Sequence, residues 1–286
     1  MSMTSPLTSE MKLEDVIVSG MKSIRKSNQN GRMYASTSGF CERQTALSMT
    51  FEGDIEYESA SAGYFEVGLA IESVILKALR NQNILLFSQL ETPDIGLNLG
   101  GKIDGVFRLD NDKIRLLEVK SCGALPNKPH AEHLAQANLY TAITGLPATL
   151  LYFSRNVANF AGEIQMRLFE LDTQSDIYQS MFTAVYGKIC ADKGLMPDIP
   201  EELTKPSHCG FCRFKNICWD GEPSHLEAMS DLETTENHLL TKKLTDDMMS
   251  PVKVEQRRNG VLKHLMQYGT PYAKDLLTDT DWKDLV

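Results

Sequence analysis

No run in this chain is both long and apolar enough to cross a membrane, and the N-terminus lacks the apolar core of a secretion signal. An intracellular protein is therefore expected. Basic residues are also scarce: 29 Lys and Arg stand against 38 Asp and Glu, a net charge of −9. That balance argues against a generally adhesive nucleic-acid binder. It leaves room for a local basic groove, because only the contacted phosphates need neutralising. Internal repeats are absent. Cysteine occurs six times; in a reducing compartment these are metal ligands or small buried apolar residues rather than disulfides. With 42% hydrophobic content over 286 residues, the chain can build one substantial core with room for an appendage.

What is present is concentrated between Gly100 and Lys120, GGKIDGVFRLDNDKIRLLEVK. Two arms rich in strand formers, 102–109 and 113–121, flank the turn residues Asp110, Asn111 and Asp112. If Leu109 faces Lys113, then Asp104 faces Glu118 and Lys102 faces Lys120. Alternation along the strands puts Asp104, Glu118 and Lys120 on one face. Facing carboxylates with Cβ atoms about 5 Å apart repel unless something positive sits between them. A divalent metal with oxygen ligands serves, and so does the neighbouring ammonium. The plainer alternative is a solvated hairpin with scattered charges.

The surrounding chain reads as alternating helices and strands. Residues 11–27 suit a helix with Val16, Ile17 and Met21 inward, followed by a polar break. In TSGFCERQTALSM, Ser38 is a candidate helix cap with Cys41 just beyond it. Residues 52–61 read as an acidic loop. Residues 62–80 have Phe65, Leu69, Ile75, Leu76 and Leu79 at helical spacing, with Glu72 in the middle of that stripe. A buried carboxylate without a partner costs several kcal/mol. Glu72 therefore either finds a partner near the hairpin or marks the stripe's wet edge. Residues 84–91 suit a strand. A helix over 130–144 ends at Gly145 with Pro147 beyond. It sets His133, Gln136 and Tyr140 on one face, beside an apolar face of Ala135, Leu139, Ala142 and Ile143. Strands at 148–154 and 162–170, a helix at 175–192 and short helices near 224–240 and 252–268 complete the reading.

Cys209-x2-Cys212-x5-Cys218 is a metal-ligand pattern one ligand short of a closed site. Cys41 is the leading fourth ligand and Cys122 the next. Cys190 reads as core packing, and His208 could replace Cys41 in a zinc site. Spacing alone does not separate zinc from an iron–sulfur cluster.

Several motifs then fall in one order. They are Gly101-Lys102-Ile103-Asp104-Gly105, Glu118-Val119-Lys120 and Gln136-Ala137-Asn138-Leu139-Tyr140, with Cys41 before them and the three late cysteines after them. Over residues 35–220 the chain resembles the RecB-like branch of the PD-(D/E)XK nucleases, above all the CRISPR-associated and phage exonucleases that carry an iron–sulfur cluster. One departure is Glu72, four residues after Gly68, where many members carry a histidine metal ligand. A carboxylate there suits Mg²⁺ or Mn²⁺.

The resemblance implies an α/β fold: a restriction-endonuclease-like core, with a mixed central sheet flanked by helices, and an iron–sulfur cluster region. It divides the chain into an N-terminal helix and tail (1–34), a nuclease domain (35–220) and a C-terminal extension (221–286). The implied activity is a Mg²⁺- or Mn²⁺-dependent DNA exonuclease acting on single strands or duplex ends. Asp104, Glu118, Lys120, Gln136 and Tyr140 would be its catalytic set, and Glu72, Asp104, Glu118 and the Val119 carbonyl would hold the metal. Cys41, Cys209, Cys212 and Cys218 would carry a structural 4Fe-4S cluster, or zinc in its place. Lys102, Arg108, Arg155, Arg213 and Lys215 are candidate phosphate contacts. The implied setting is the cytoplasm of a bacterial or phage-infected cell, with DNA as partner and a helicase, recombinase or CRISPR integrase as possible company. An endonuclease on the same core and a non-catalytic DNA-binding or assembly module are the competing readings.

Overall fold

The computed structural model describes residues 24–26, 32–51, 54–56, 59–93, 95–109, 113–156, 164–200, 203, 209, 212–219 and 226–279. Its frame is a five-stranded mixed sheet of β1 (Leu85–Glu91), β2 (Lys102–Phe107), β3 (Arg115–Cys122), β4 (Ala148–Ser154) and β5 (Met166–Leu171), side by side in that order. Only β3 and β4 run parallel. β4, ATLLYFS, is a near-continuous apolar run, as a strand covered on both faces must be, whereas β3 carries Arg115, Glu118 and Lys120 among its apolar residues. The helices are α1 (Glu42–Thr50), α2 (Ser59–Asn81), α3 (Ala131–Thr144), α4 (Gln174–Asp192), α5 (Lys215–Trp219), α6 (Asp231–Met248), α7 (Pro251–Tyr268) and α8 (Pro271–Asp279). Two parallel neighbours need a crossover, and α3 supplies it between β3 and β4.

The β2–β3 register is the one the sequence implies: Gly105 opposite Leu117, Val106 opposite Leu116, Phe107 opposite Arg115. The turn at 110–112 lies outside the described residues. One sheet face packs on α2 through Ile75, Leu76, Leu85, Phe107, Leu117, Val119 and Leu151. The other packs on α3 and α4 through Val106, Leu116, Leu139, Ile143, Leu150, Ile177 and Met181. Gly145 ends α3 in the left-handed region at φ 69°, where its N–H reaches Thr141 O.

Four expectations change. Ile24–Lys26 is a short strand, not the end of a helix; it pairs antiparallel with Asp54–Glu56, in the stretch read as a loop. Helical spacing cannot reveal a pairing between segments so far apart. The remainder of the helix expected over 11–27 lies outside the described residues. Cys41, not Ser38, caps α1, its Sγ accepting the Gln44 N–H at 3.4 Å; the chain first bends through Gly39 at φ 86°. Only the C-terminal half of the α2 stripe is inward, for Phe65 and Leu69 are 48% and 59% exposed. Gly68 already lies over Ser121 near the end of β3, so the first turns of α2 run past the sheet. Finally, the helix expected over 224–240 runs from Asp231 to Met248 instead and α8 is added, while α7 matches the helix expected over 252–268. Val261, Leu262, Leu265, Ala273 and Leu277 join the main core. Among the described residues no helix is long and apolar enough to cross a membrane.

Candidate active site and cysteine cluster

The β2–β3 ladder stops at Gly105–Leu117. Beyond it the Asp104 carboxylate takes the place of a backbone acceptor, with Oδ2 receiving the Val119 N–H at 2.7 Å. At this break a buried network links both strands to α3. Lys120 Nζ donates to Glu118 Oε1 (2.8 Å) and Gln136 Oε1 (3.0 Å). Gln136 Nε2 donates to the same Glu118 oxygen (2.8 Å) and to the Tyr140 hydroxyl (3.2 Å). That hydroxyl donates to Lys102 O at 3.2 Å. The i, i+4 spacing of Gln136 and Tyr140 puts both on the inner face of α3. Gly101 makes room for the ring: a Cβ there would stand 2.6 Å from Tyr140 Cε1.

Glu72 arrives from α2. Gln89 Nε2 donates to its Oε1. Gln89 had no sequence signal; it lies in β1 with φ 57°, a left-handed conformation that costs a non-glycine residue about 1–3 kcal/mol. The three carboxylates sense one another. Burial, followed by the charges of Glu118 and Glu72, holds the Asp104 carboxyl well above its usual range. Burial and Glu118 also raise the Glu72 carboxyl above its usual value. Burial pulls the Lys120 ammonium down, but Glu118, Asp104 and Glu72 outweigh it and hold it above its ordinary value.

Negative charge therefore exceeds positive at this end of the sheet. Glu118 is 3% exposed, and its Oε2 has no hydrogen-bond partner among the described residues. Among the described residues no three His, Cys, Asp or Glu side chains already close on a point that could hold a metal ion. Asp104 and Glu118 each have one oxygen committed to protein donors. The donor set nevertheless suits a hard cation: carboxylates, a backbone group in the ladder gap and an orphaned buried oxygen.

Three neighbours fall outside this network. His133 Nδ1 sits 2.9 Å from the Tyr152 hydroxyl, and burial, with Lys120 and His130, lowers its pKa to about 3. It is a neutral, satisfied imidazole. Arg108 is buried and lines a separate cavity with Thr141, Gly145 and Arg258, so it is no phosphate contact at this site. Arg213 stacks on Phe214 near the cysteines. Arg155, by contrast, bonds Ser121, the residue after Lys120.

The early and late cysteines lie within electrostatic range of one another, without closing on a metal-holding point among the described residues. Cys41 feels the charge of Cys212 and Cys218; Cys212 feels Cys218 and Cys209. Burial pushes the Cys41 thiol up to about 12 and the Cys212 thiol to about 11. A tight turn shapes the late pair, with the Cys212 N–H on Cys209 O at 2.8 Å. All four thiols are free. Cys122 lies elsewhere, its Sγ 3.6 Å from Phe153 O. Cys190 is fully buried beside Tyr186 and Met229, as its helical position suggested. His208 lies outside the described residues.

No family model and no curated protein matches the chain. Among solved structures, the crystal structure of SSO0001 superposes with a TM-score of 0.40 at 18% identity, over 68% of this chain and 88% of that one. A likeness at that level carries no argument about family or function.

Proposed function

We propose that the chain is a Mg²⁺- or Mn²⁺-dependent DNA exonuclease of the RecB-like PD-(D/E)XK type, hydrolysing single strands or duplex ends, with a structural iron–sulfur cluster. The observation that carries this reading is the buried Glu118–Lys120–Gln136–Tyr140 network, set beside Asp104 and Glu72 where β2 and β3 part. Glu72, Asp104, Glu118 and the Val119 carbonyl would hold the divalent ion. Once bound, such an ion lowers the pKa of a water and offsets charge building on the phosphate.

The protein groups have separate tasks. Lys120 stays an ammonium among three carboxylates, so it acts as a fixed positive charge beside the scissile phosphate rather than as a base. Gln136 binds Lys120 through its oxygen and Glu118 through its nitrogen, which holds both side chains in one orientation. Tyr140 supports Gln136 from behind and remains protonated, its pKa raised by burial and by Glu118. Cys41, Cys209, Cys212 and Cys218 would ligate the cluster. Burial disfavours free thiolates at Cys41, Cys212 and Cys218, and an iron cluster or a zinc ion would supply the missing positive charge.

The test is digestion of end-labelled single-stranded DNA by protein purified without oxygen, in Mn²⁺, Mg²⁺ or EDTA, beside Lys120→Ala. Metal-dependent shortening by wild type alone is the expected result. A circular single strand should survive; its cleavage would indicate an endonuclease. A folded wild type that binds DNA but never cleaves it would overturn the catalytic reading in favour of a binding module.

A further inference from the structure

Tyr64 stands on the part of α2 that runs past the sheet and is 57% exposed. The Arg155 guanidinium lies over its ring, 4.7 Å from the centroid. Arg155 is fixed on two sides: its backbone N–H reaches Cys122 O at 2.7 Å, and Nη1 reaches Ser121 Oγ at 3.3 Å. Ser121 follows Lys120 directly. No carboxylate pairs with Arg155 in an ion pair among the described residues.

The spacing on α2 joins this group to the site. Tyr64, Gly68 and Glu72 are four residues apart and form one row along the helix. At 1.5 Å per residue, Tyr64 is about 12 Å from Glu72 along the axis. Between them Gly68 presents no side chain, and a Cβ there would lie 3.6 Å from Ser121 Oγ. The row is thus an exposed aromatic ring backed by a cation, then a bare glycine, then a carboxylate of the candidate site.

We propose that Tyr64, Arg155 and Ser121 form a subsite for single-stranded nucleic acid, in which an unpaired base stacks on Tyr64 and Arg155 holds the adjoining phosphate, one or two nucleotides from the bond to be cut. The subsite rests on the nuclease reading for its place in the reaction. Its preference for single strands follows from the ring. Stacking needs an accessible base face, which an unpaired nucleotide offers and a base inside a duplex does not. Arg155 adds charge without sequence preference.

The test is binding rather than cleavage, so it does not depend on catalysis. Full-length protein in EDTA is titrated into a fluorescein-labelled oligothymidylate and, separately, a blunt hairpin duplex. Tyr64→Ala should weaken oligothymidylate binding roughly tenfold, and Tyr64→Phe should retain it. Arg155→Gln should weaken it as well and lower the slope of log affinity against log salt by about one. Duplex affinity should change less than twofold in each. If both variants, folded by circular dichroism, bind oligothymidylate like wild type, or lose both substrates equally, the subsite is refuted. If they lose single-strand binding while wild type never cleaves, the subsite stands and the nuclease reading falls.

Discussion

Lys120 faces three carboxylates, and one of them, Glu118, is almost fully buried. In protein free of divalent ions this ammonium is the nearest compensating charge. Removing one member of a buried pair leaves the other desolvated and unmatched, whereas removing both is close to neutral. Lys120→Met should therefore cost about 2–4 kcal/mol of unfolding free energy in EDTA, below the usual range because the Lys120 side chain keeps 21% exposure. Adding Glu118→Gln should restore most of that loss. Urea unfolding of both singles and the double variant measures the coupling. If Lys120→Met is as stable as wild type, the pair has no structural role. The same cycle guards the activity assay, in which an inactive Lys120→Ala protein is informative only when it is folded.

At the scale of elements, a group held by the four cysteines would link α1 to α5 and the turn before it, segments separated in sequence by the whole sheet. Cys41 caps α1, so its position is set by the helix as well as by the other thiols. Arg43, one residue into the same helix, bonds Pro197 O at 2.7 Å and lowers the Cys218 thiol against the effect of burial. A bound cluster would clamp these elements. Cys212→Ala should accordingly lose bound iron, or zinc, together with soluble folded protein, before any loss of chemistry. Metal analysis and thermal melts on anaerobically purified protein measure both. A variant that stays folded, metal-free and active would show that the cysteines do not clamp the fold.

At the scale of the molecule, α6, α7 and α8 behave as a layer of the core. Thr270 donates through N–H to Leu86 O and through Oγ1 to Leu85 O, both at 2.9 Å, which seats the α7–α8 junction against β1. Burying Val261, Leu262 and Leu265 contributes on the order of 5–8 kcal/mol, comparable with the whole stability of a typical domain. A chain ending at residue 230 should be insoluble or lack fixed tertiary packing. Soluble yield and near-ultraviolet circular dichroism would show it. A cooperatively folding truncation would instead support the separable C-terminal extension (221–286) that the family resemblance implies.

The strands, the α3 and α4 spans and the β2–β3 register were legible in the sequence because each follows from local periodicity or from a short turn. So was the shared face of Glu118 and Lys120, which alternation along β3 requires and which both bonds to Gln136 display; where Asp104 stands depends on the break in the β2–β3 ladder. Tertiary structure decided what depends on distant contacts. It joined Ile24–Lys26 to Asp54–Glu56 and drew Gln89 to Glu72 through an unusual backbone conformation. It exposed the first half of α2 because the sheet ends beneath Gly68, and it folded the C-terminal helices into the core. Local pattern sets which face of an element is apolar; only the packed chain determines which faces are covered, and by what.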